Sequence, residues 1–386
     1  MTQPCSGEAV LMAAISGRAL AESARRGGYL PLVADFFCDQ DTVAAAAAHV
    51  QVDGSFARGF RETELMTALE RLAAQRAPVG LVCGTGFEDR PQMLAKLAQR
   101  WRVYGNDADK VARVKDPAFF AEACRECGVP FPSISLQPPP HEGFVAKRRG
   151  GSGGAHIADA SESAGRDDIY YQARVPGLPV SALLLANGTS AIVLGFSAQW
   201  ASPTSRQPFR YGGAVQPADL PRHMAGRLEA AACRLASALS LTGLNSADFV
   251  VDGDDFWIVE INPRPGATLD IFETDGFKTG ARSLFSLHMA ACVGDLIDEA
   301  PRHDGARASA ICYAVRDVTT PSQFEWPVWS ADRPNSGLAI RAGEPLCTVH
   351  AGAATAADAR LLVNERLALV DTWMRDWTQS GRGHGP

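Results

Sequence analysis

The sequence predicts an α/β N-terminal third joined to a β-rich remainder of α+β type. Two observations carry this. Over the first hundred residues, apolar runs of strand length alternate with helix-like segments, the rhythm of a parallel sheet with crossover helices. From Gly143 onward, short β-type runs bounded by glycine and Asp-Gly turns take over. A length of 386 residues gives room for roughly two to three lobes.

The elements follow in order. Ala9–Ile15 reads as a buried strand with Ser16-Gly17 as its exit turn, and Ala19–Arg26 as a helix stopped by Gly27-Gly28. Leu30–Phe37 is a second strand, Thr42–His49 an alanine-rich stretch, and Glu62–Gln75 a strong helix. Val79–Cys83 runs into Gly84-Thr85-Gly86; Pro91–Arg100 is a helix and Arg102–Tyr104 a short strand. Ligands of such sheets collect at the carboxyl ends of strands, so Ser16-Gly17 and Gly84–Gly86 border the expected cleft. Asp116-Pro117 opens a helix that ends at Gly128, because proline suits the first helical turn. Pro130–Pro140 is a proline-rich linker. Strands are expected at Ala155–Ile157, Ile169–Val175, Ser181–Leu185 and Ala191–Phe196, with a helix over Pro221–Leu239. Phe249–Val251 and Phe256–Ile261 form a hairpin around Asp252–Asp255. A helix over Ser283–Val293, strands over Ala308–Val315 and Ala339–Val349, a closing helix Ala356–Trp373 and a disordered tail Ser380–Pro386 complete the chain.

Charge and composition exclude several classes. A net charge of −6 lacks the basic face that general nucleic-acid binding needs. No apolar run reaches the ~18 to 20 residues of a membrane helix. Ala9–Ile15 lacks a preceding basic region, so it is read as a strand, not a signal peptide. Nine scattered cysteines suit a reducing cytoplasm better than a disulfide framework.

Three segments could do chemistry. Lys147 ends the run Val145–Arg149 and is followed by Gly150-Gly151-Ser152-Gly153-Gly154. Glycines let backbone N–H groups approach phosphate oxygens, and the ammonium adds a point charge. No Gly-Lys-Ser/Thr follows, so this is not a Walker loop, and a plain surface turn would read the same. Val259-Glu260-Ile261-Asn262-Pro263-Arg264-Pro265-Gly266 is more specific. Glu260 and Asn262 lie two apart on a strand and leave by one face, where oxygen ligands suit Mg²⁺. Asp248 on the partner strand could add a third oxygen, and Arg264 could grip a terminal phosphate. A third segment, Tyr170–Gly177, could offer extended backbone to adenine.

With these residues in hand the chain, over roughly 9 to 295, resembles the ATP-grasp superfamily. The resemblance implies an ATP-grasp fold with a Rossmann-like pre-domain at 1–105. The core would cover 106–295, with a small lobe to about 175 and a large lobe beyond. A β-rich C-terminal section would occupy 296–386. It implies ATP and Mg²⁺ as cofactors, with Mn²⁺ as a substitute. Asp248, Glu260 and Asn262 would hold the metal. Lys147 and Arg264 would be the catalytic cations, with Gly150, Gly151, Ser152, Gly153 and Gly154 as the lid over the phosphates. Gln172, Arg174 and Val175 would meet the adenine edge, and Ile258 its face. Lys115 is the earlier nucleotide cation, with Lys110 as rival. The chain departs from the family at Gln172 and at Leu178-Pro179-Val180-Ser181, where many members carry carboxylates.

Asp332-Arg333-Pro334, Gly337, Gly343–Val349, Gly84–Glu88 and Arg210–Ala214 are also similar to the predicted ATP-dependent carboligases. Some of these are associated with cofactor biosynthesis. The implied activity is a cytoplasmic carboxylate–amine ligase passing through an acyl-phosphate and releasing ADP and phosphate. Its partners would be a small carboxylate and an amine, with a homodimer left open. The alternatives are a carboxylase or phosphotransferase with another acceptor, or a nucleotide-binding protein without catalysis. A Rossmann oxidoreductase is disfavoured because Ser16-Gly17-Arg18 lacks Gly-x-Gly-x-x-Gly. Acceptor-side candidates are Ser16-Gly17, Gly84–Glu88 and the loop Trp200–Gly213, whose Arg206 or Arg210 could bind a substrate carboxylate. Cys124-x-x-Cys127 and the tryptophans Trp326, Trp329, Trp373 and Trp377 are read as packing residues, and His156 as a bland strand histidine, with a phosphate contact as the alternative.

Overall fold

The computed structural model describes residues 7–55, 59–139, 142–162, 166–273 and 282–380. The expected tail therefore lies outside the described residues, apart from Ser380.

The N-terminal part is a four-stranded parallel sheet in the order Ala48–Gln51, Leu30–Asp35, Ala9–Ala13, Pro78–Cys83. All five residues of Ala9–Ala13 are buried, as a strand covered on both faces requires. The alanine-rich stretch splits into a helix, Gln40–Ala45, and a strand, Ala48–Gln51, paired with Leu32–Asp35. Alanine favours helix and is depleted in strands, so at Ala48 the pairing with Leu32 overrides propensity. The strand expected at Arg102–Tyr104 shrinks to one bridge between Leu81 and Val103. Two helices sit back to back where one was expected. Asp107 caps Ala108–Lys115 by accepting from Lys110 N at 2.8 Å, and Asp116 caps Pro117–Glu126 by accepting from Phe119 N at 2.8 Å.

A small antiparallel sheet follows, ordered Ile134–Ser135, Ile169–Ala173, Phe144–Arg148, Ile157–Asp159. The large sheet has eight antiparallel strands. Their order is Asp255–Asn262, Thr242–Asp252, Leu178–Asn187, Ala191–Ala201, Tyr211–Gln216, Ala306–Tyr313, Pro345–Ala353, Ser330–Ala331. The pairing of Gly213–Gln216 with Arg307–Ala310 carries this sheet from the core into the C-terminal section. Its core face is filled by Met224, Leu228, Ala231 and Leu235 from the helix Arg222–Ala238. The helix Ala356–Ser380 adds Ala359, Val363, Val370 and Met374. Against this core Trp329 and Trp373 stack with ring centroids 5.7 Å apart. Cys124 is buried there too, a packing thiol.

Buried polar groups lock the parallel sheet to the large one. Asn106 donates to Asn245 Oδ1 (2.7 Å) and Pro263 O (3.0 Å) and accepts from Thr242 N (2.9 Å). His288 accepts from Leu244 N, and its other ring nitrogen lies 3.1 Å from Tyr104 O. Burial pushes that imidazole down to about 4, so the ring is neutral at pH 7. The cysteines described are free thiols, and no described helix is long and apolar enough to cross a membrane.

Candidate functional site

The site is built on the hairpin of Thr242–Asp252 and Asp255–Asn262. Asp248 pairs with Glu260 and Phe249 with Ile258, which leaves Val259 as a bulge. The bulge breaks simple alternation. Ile258 and Ile261 both join the helix-covered core with Phe249 and Ala247, while Asp248, Glu260 and Asn262 share the other face. This corrects the reading of Ile258. Its side chain is fully buried beneath the strand and cannot pack on a nucleotide base in the cleft.

Cations reach this face from two separate elements. Lys115, last residue of its helix, pairs with Glu260 Oε1 and donates to Asn262 Oδ1 at 2.9 Å. Lys147, 3% exposed in the small sheet, lies 3.9 Å from Glu260 Oε2 and donates to Gln172 Oε1 (3.2 Å) and the bulged Val259 carbonyl (3.4 Å). Lys110 pairs instead with Asp107 at 3.6 Å, so Lys115 is the lysine the fold brings to the cluster. Asp248 accepts from Ser181 Oγ at 2.6 Å and from Asn262 Nδ2 at 3.0 Å.

The electrostatics split the two carboxylates. Burial and the repulsion of Glu260 push Asp248 up to about 6. Burial acts the same way on Glu260, but Lys115 and Lys147 outweigh it and hold that carboxyl at about 2. Burial works against the Lys147 charge, yet Tyr170 and Glu260 keep its pKa above the ordinary value. Two carboxylates and an amide oxygen on one face match the hard oxygen donors that Mg²⁺ takes, so the residues present fit that ion.

The glycine loop is pinned at both ends. Gly150 has φ +68°, and a Cβ there would lie 2.6 Å from Glu88 O. Gly154 has φ +70°, and a Cβ would meet Phe209 O at 1.8 Å. Tyr211 N donates to Gly153 O at 2.9 Å. His156, read from sequence as a bland strand residue, packs on Gly151 with Nδ1 3.2 Å from Ser152 O. Its pKa is lowered to about 4, chiefly by burial.

The hinge differs in detail from expectation. Gln172 is buried, with its side chain on Lys147 and Val259. Arg174 is exposed over the Phe209 ring at 5.8 Å, and its backbone N–H is taken by Gly143 O; Val175 is half-buried beside it. On the acceptor side, Arg210 is not a free anion binder. It donates to Ser202 O (3.0 Å), Ser202 Oγ (3.2 Å) and Gly343 O (3.2 Å) and lies 3.6 Å from the Tyr313 ring centre. Sequence reasoning gave Glu88 no role of its own. It is 4% exposed and accepts from Arg264 Nε at 2.7 Å.

A second buried cluster surrounds Arg18. Its guanidinium donates to Asp270 (2.8 Å), Asp332 (3.0 Å) and Glu22 (3.3 Å), with Asp41 at 3.9 Å.

Residues 114–268 match the family model of the ATP-grasp domain. The chain carries an ATP-grasp domain. Solved structures of the same fold span nearly the whole chain. The biotin carboxylase domain dimer of the Hydrogenobacter thermophilus 2-oxoglutarate carboxylase, complexed with MgADP and bicarbonate, has TM-score 0.70 at 14% identity. The alignment covers 93% of this chain and 89% of that one. The biotin carboxylase–β,γ-ATP complex of Campylobacter jejuni has TM-score 0.71 at 14% identity, covering 91% and 89%. A multifunctional pyruvate carboxylase of Rhizobium etli has TM-score 0.67 at 17% identity, covering 93% of this chain but 37% of that one. Among curated proteins no sequence matches this chain significantly.

Proposed function

We propose that this ATP-grasp chain is an ATP-dependent ligase of the cytoplasm that joins a small carboxylate to an amine. The substrate carboxylate attacks the γ-phosphorus, ADP leaves, and the amine displaces phosphate from the acyl-phosphate. The observation that carries the reading is the convergence of Lys115 and Lys147, from two separate elements, on Glu260 beside Asp248 and Asn262.

Phosphoryl transfer asks for positioning and charge neutralisation more than covalent help. Lys147, held protonated, supplies positive charge for the α- and β-phosphates. The backbone N–H groups of Gly150–Gly154 cover the phosphates and limit water, which would otherwise hydrolyse an acyl-phosphate. Arg264 offers a fork of donors to the terminal phosphate. Asp248, Glu260 and Asn262 would hold Mg²⁺, with Mn²⁺ as substitute, and the ion would offset charge between β- and γ-oxygens. Gln172 and the segment through Val175 form the adenine edge.

The test is incubation with MgATP and pools of carboxylates and amines, following ADP, AMP and phosphate. ADP release that needs both pools supports the ligase. ADP release that needs bicarbonate supports the carboxylase reading, which the bicarbonate in the Hydrogenobacter neighbour favours. AMP with pyrophosphate defeats both. Glu260→Gln is expected to lower turnover at least about a hundredfold with the fold intact; full activity in that variant would sink the metal assignment. That neighbour is described as a dimer, and a homodimer is proposed here too.

A further inference from the structure

The phosphate arginine is held from outside the metal-strand hairpin. Glu88 follows the loop at the carboxyl end of Pro78–Cys83, in the parallel sheet. One carboxylate oxygen accepts from Gly86 N (2.8 Å) and Phe87 N (3.0 Å), so its own loop fixes its orientation. The other accepts from Arg264 Nε at 2.7 Å. Both side chains are largely out of water, 3% exposed for Glu88 and 12% for Arg264. Burial disfavours the Glu88 charge, but Arg264 and Lys115 outweigh it and keep the carboxyl ionised.

A guanidinium offers donors on its Nε side and at its Nη end. Glu88 takes the Nε side. Nη1 reaches only the Pro265 carbonyl at 3.2 Å, and Nη2 has no partner among the described residues. The next residue, Asp89, pairs with Arg148 at 3.3 Å, and Glu88 O crowds Gly150. One dipeptide of the parallel sheet thus touches both the phosphate arginine and the glycine loop.

We infer that Glu88 is a positioning residue for Arg264, fixing the guanidinium by its Nε side so that its Nη end is left for a terminal phosphate. The inference rests on the proposed ATP chemistry. It says that the parallel sheet, and not the hairpin alone, sets the geometry of the γ-phosphate subsite.

A plain structural staple would affect ADP and ATP alike. A positioning residue acts on what the third phosphate adds. The test uses the full chain with two probes, MgADP and the non-hydrolysed triphosphate Mg-AMPPNP, by calorimetry. In E88Q the melting temperature is expected to fall, because the amide NH2 must face either Arg264 or the Gly86 and Phe87 N–H groups, while the MgADP affinity of the folded protein stays near wild type. Its preference for AMPPNP over ADP should fall about fivefold, with E88D in between. In an R264K background, E88Q should add less than about twofold, because its effect runs through the arginine. An unchanged preference in E88Q, an equal loss for both nucleotides, or a full additional loss in the R264K background each overturns the inference. Should E88Q prove unstable, E88D with R264K gives the same cycle. Wild-type protein that binds neither nucleotide would defeat the ATP reading itself, a different result.

Discussion

Two buried charge clusters sit in this molecule, and they are built on opposite plans. Around Arg18, one guanidinium faces Glu22, Asp41, Asp270 and Asp332, and contributions come from three distant parts of the chain. Its donors are taken up by these carboxylates. Asp332 also accepts from Ser16 Oγ (3.1 Å) and Thr348 Oγ1 (2.5 Å). That is a rivet, tying the first helix to the core and the C-terminal section. Around Glu260, two lysines meet two carboxylates and an amide, and burial and charge drive Asp248 and Glu260 apart, to about 6 and about 2. Carboxylates split in this way are a mark of functional sites. Both clusters are buried and ionic. Carboxylates at the rivet are split as well, Asp332 to about 2 and Asp39 to about 8, so what separates the clusters is their make-up: one cation among several carboxylates at Arg18, two lysines from separate elements at Glu260.

Breaking the rivet gives the largest expected effect. Arg18→Ala leaves several buried carboxylates without their cation, a loss of about 3–5 kcal/mol. Denaturant unfolding measures it, and a variant as stable as wild type would show that the cluster ties nothing together. The lysines of the other cluster come next. Lys115→Met should weaken MgADP binding by about tenfold or more, roughly 1.4 kcal/mol. Lys110→Met, on the same helix but paired with Asp107, should stay within about twofold. Equal effects by calorimetry would erase the distinction between them.

A pH-dependent test of the same region concerns Asp39, 4% exposed beside the rivet. Burial, then repulsion by Asp332, Asp35 and Asp41, pushes its pKa up to about 8. The unfolded value is near 4. Between these values the folded chain holds one more proton than the unfolded chain, so stability falls as pH rises from about 4 to about 8. D39N should flatten that slope and raise the melting temperature most at pH 8. Melting curves that run parallel to wild type across the window would rule out this role for Asp39.

Much of this architecture was legible in the sequence, and the failures have physical causes. The helix Glu62–Gln75 forms where its periodicity places it. The small-sheet strand Phe144–Arg148 and the hairpin strand Asp255–Asn262 lie where their apolar runs and the Asp-Gly turn put them. The helix Ala108–Lys115 was missed because its eight residues are mostly charged or small. The strand Tyr211–Gln216 was hidden in an expected loop because its glycines lower β-propensity, and pairing on both edges overrides that. Ile258 was assigned to the adenine face by the resemblance, and the bulge at Val259, which sequence does not mark, sets its side chain in the core instead.

The sequence by itself determined the elements and the chemical types at the site: a lysine beside glycines, and Glu260, Asn262 and Arg264 in one short run. Those follow from local periodicity and turn chemistry, which act over a few residues. Only the tertiary structure decided that Lys115 and not Lys110 meets Glu260, that His156 is buried against the glycine loop, that Arg210 is spent on Ser202 and Gly343, and that Glu88 holds Arg264 across 176 positions. Such partners depend on how sheets stack and on which buried charges must be satisfied, and no local pattern encodes that.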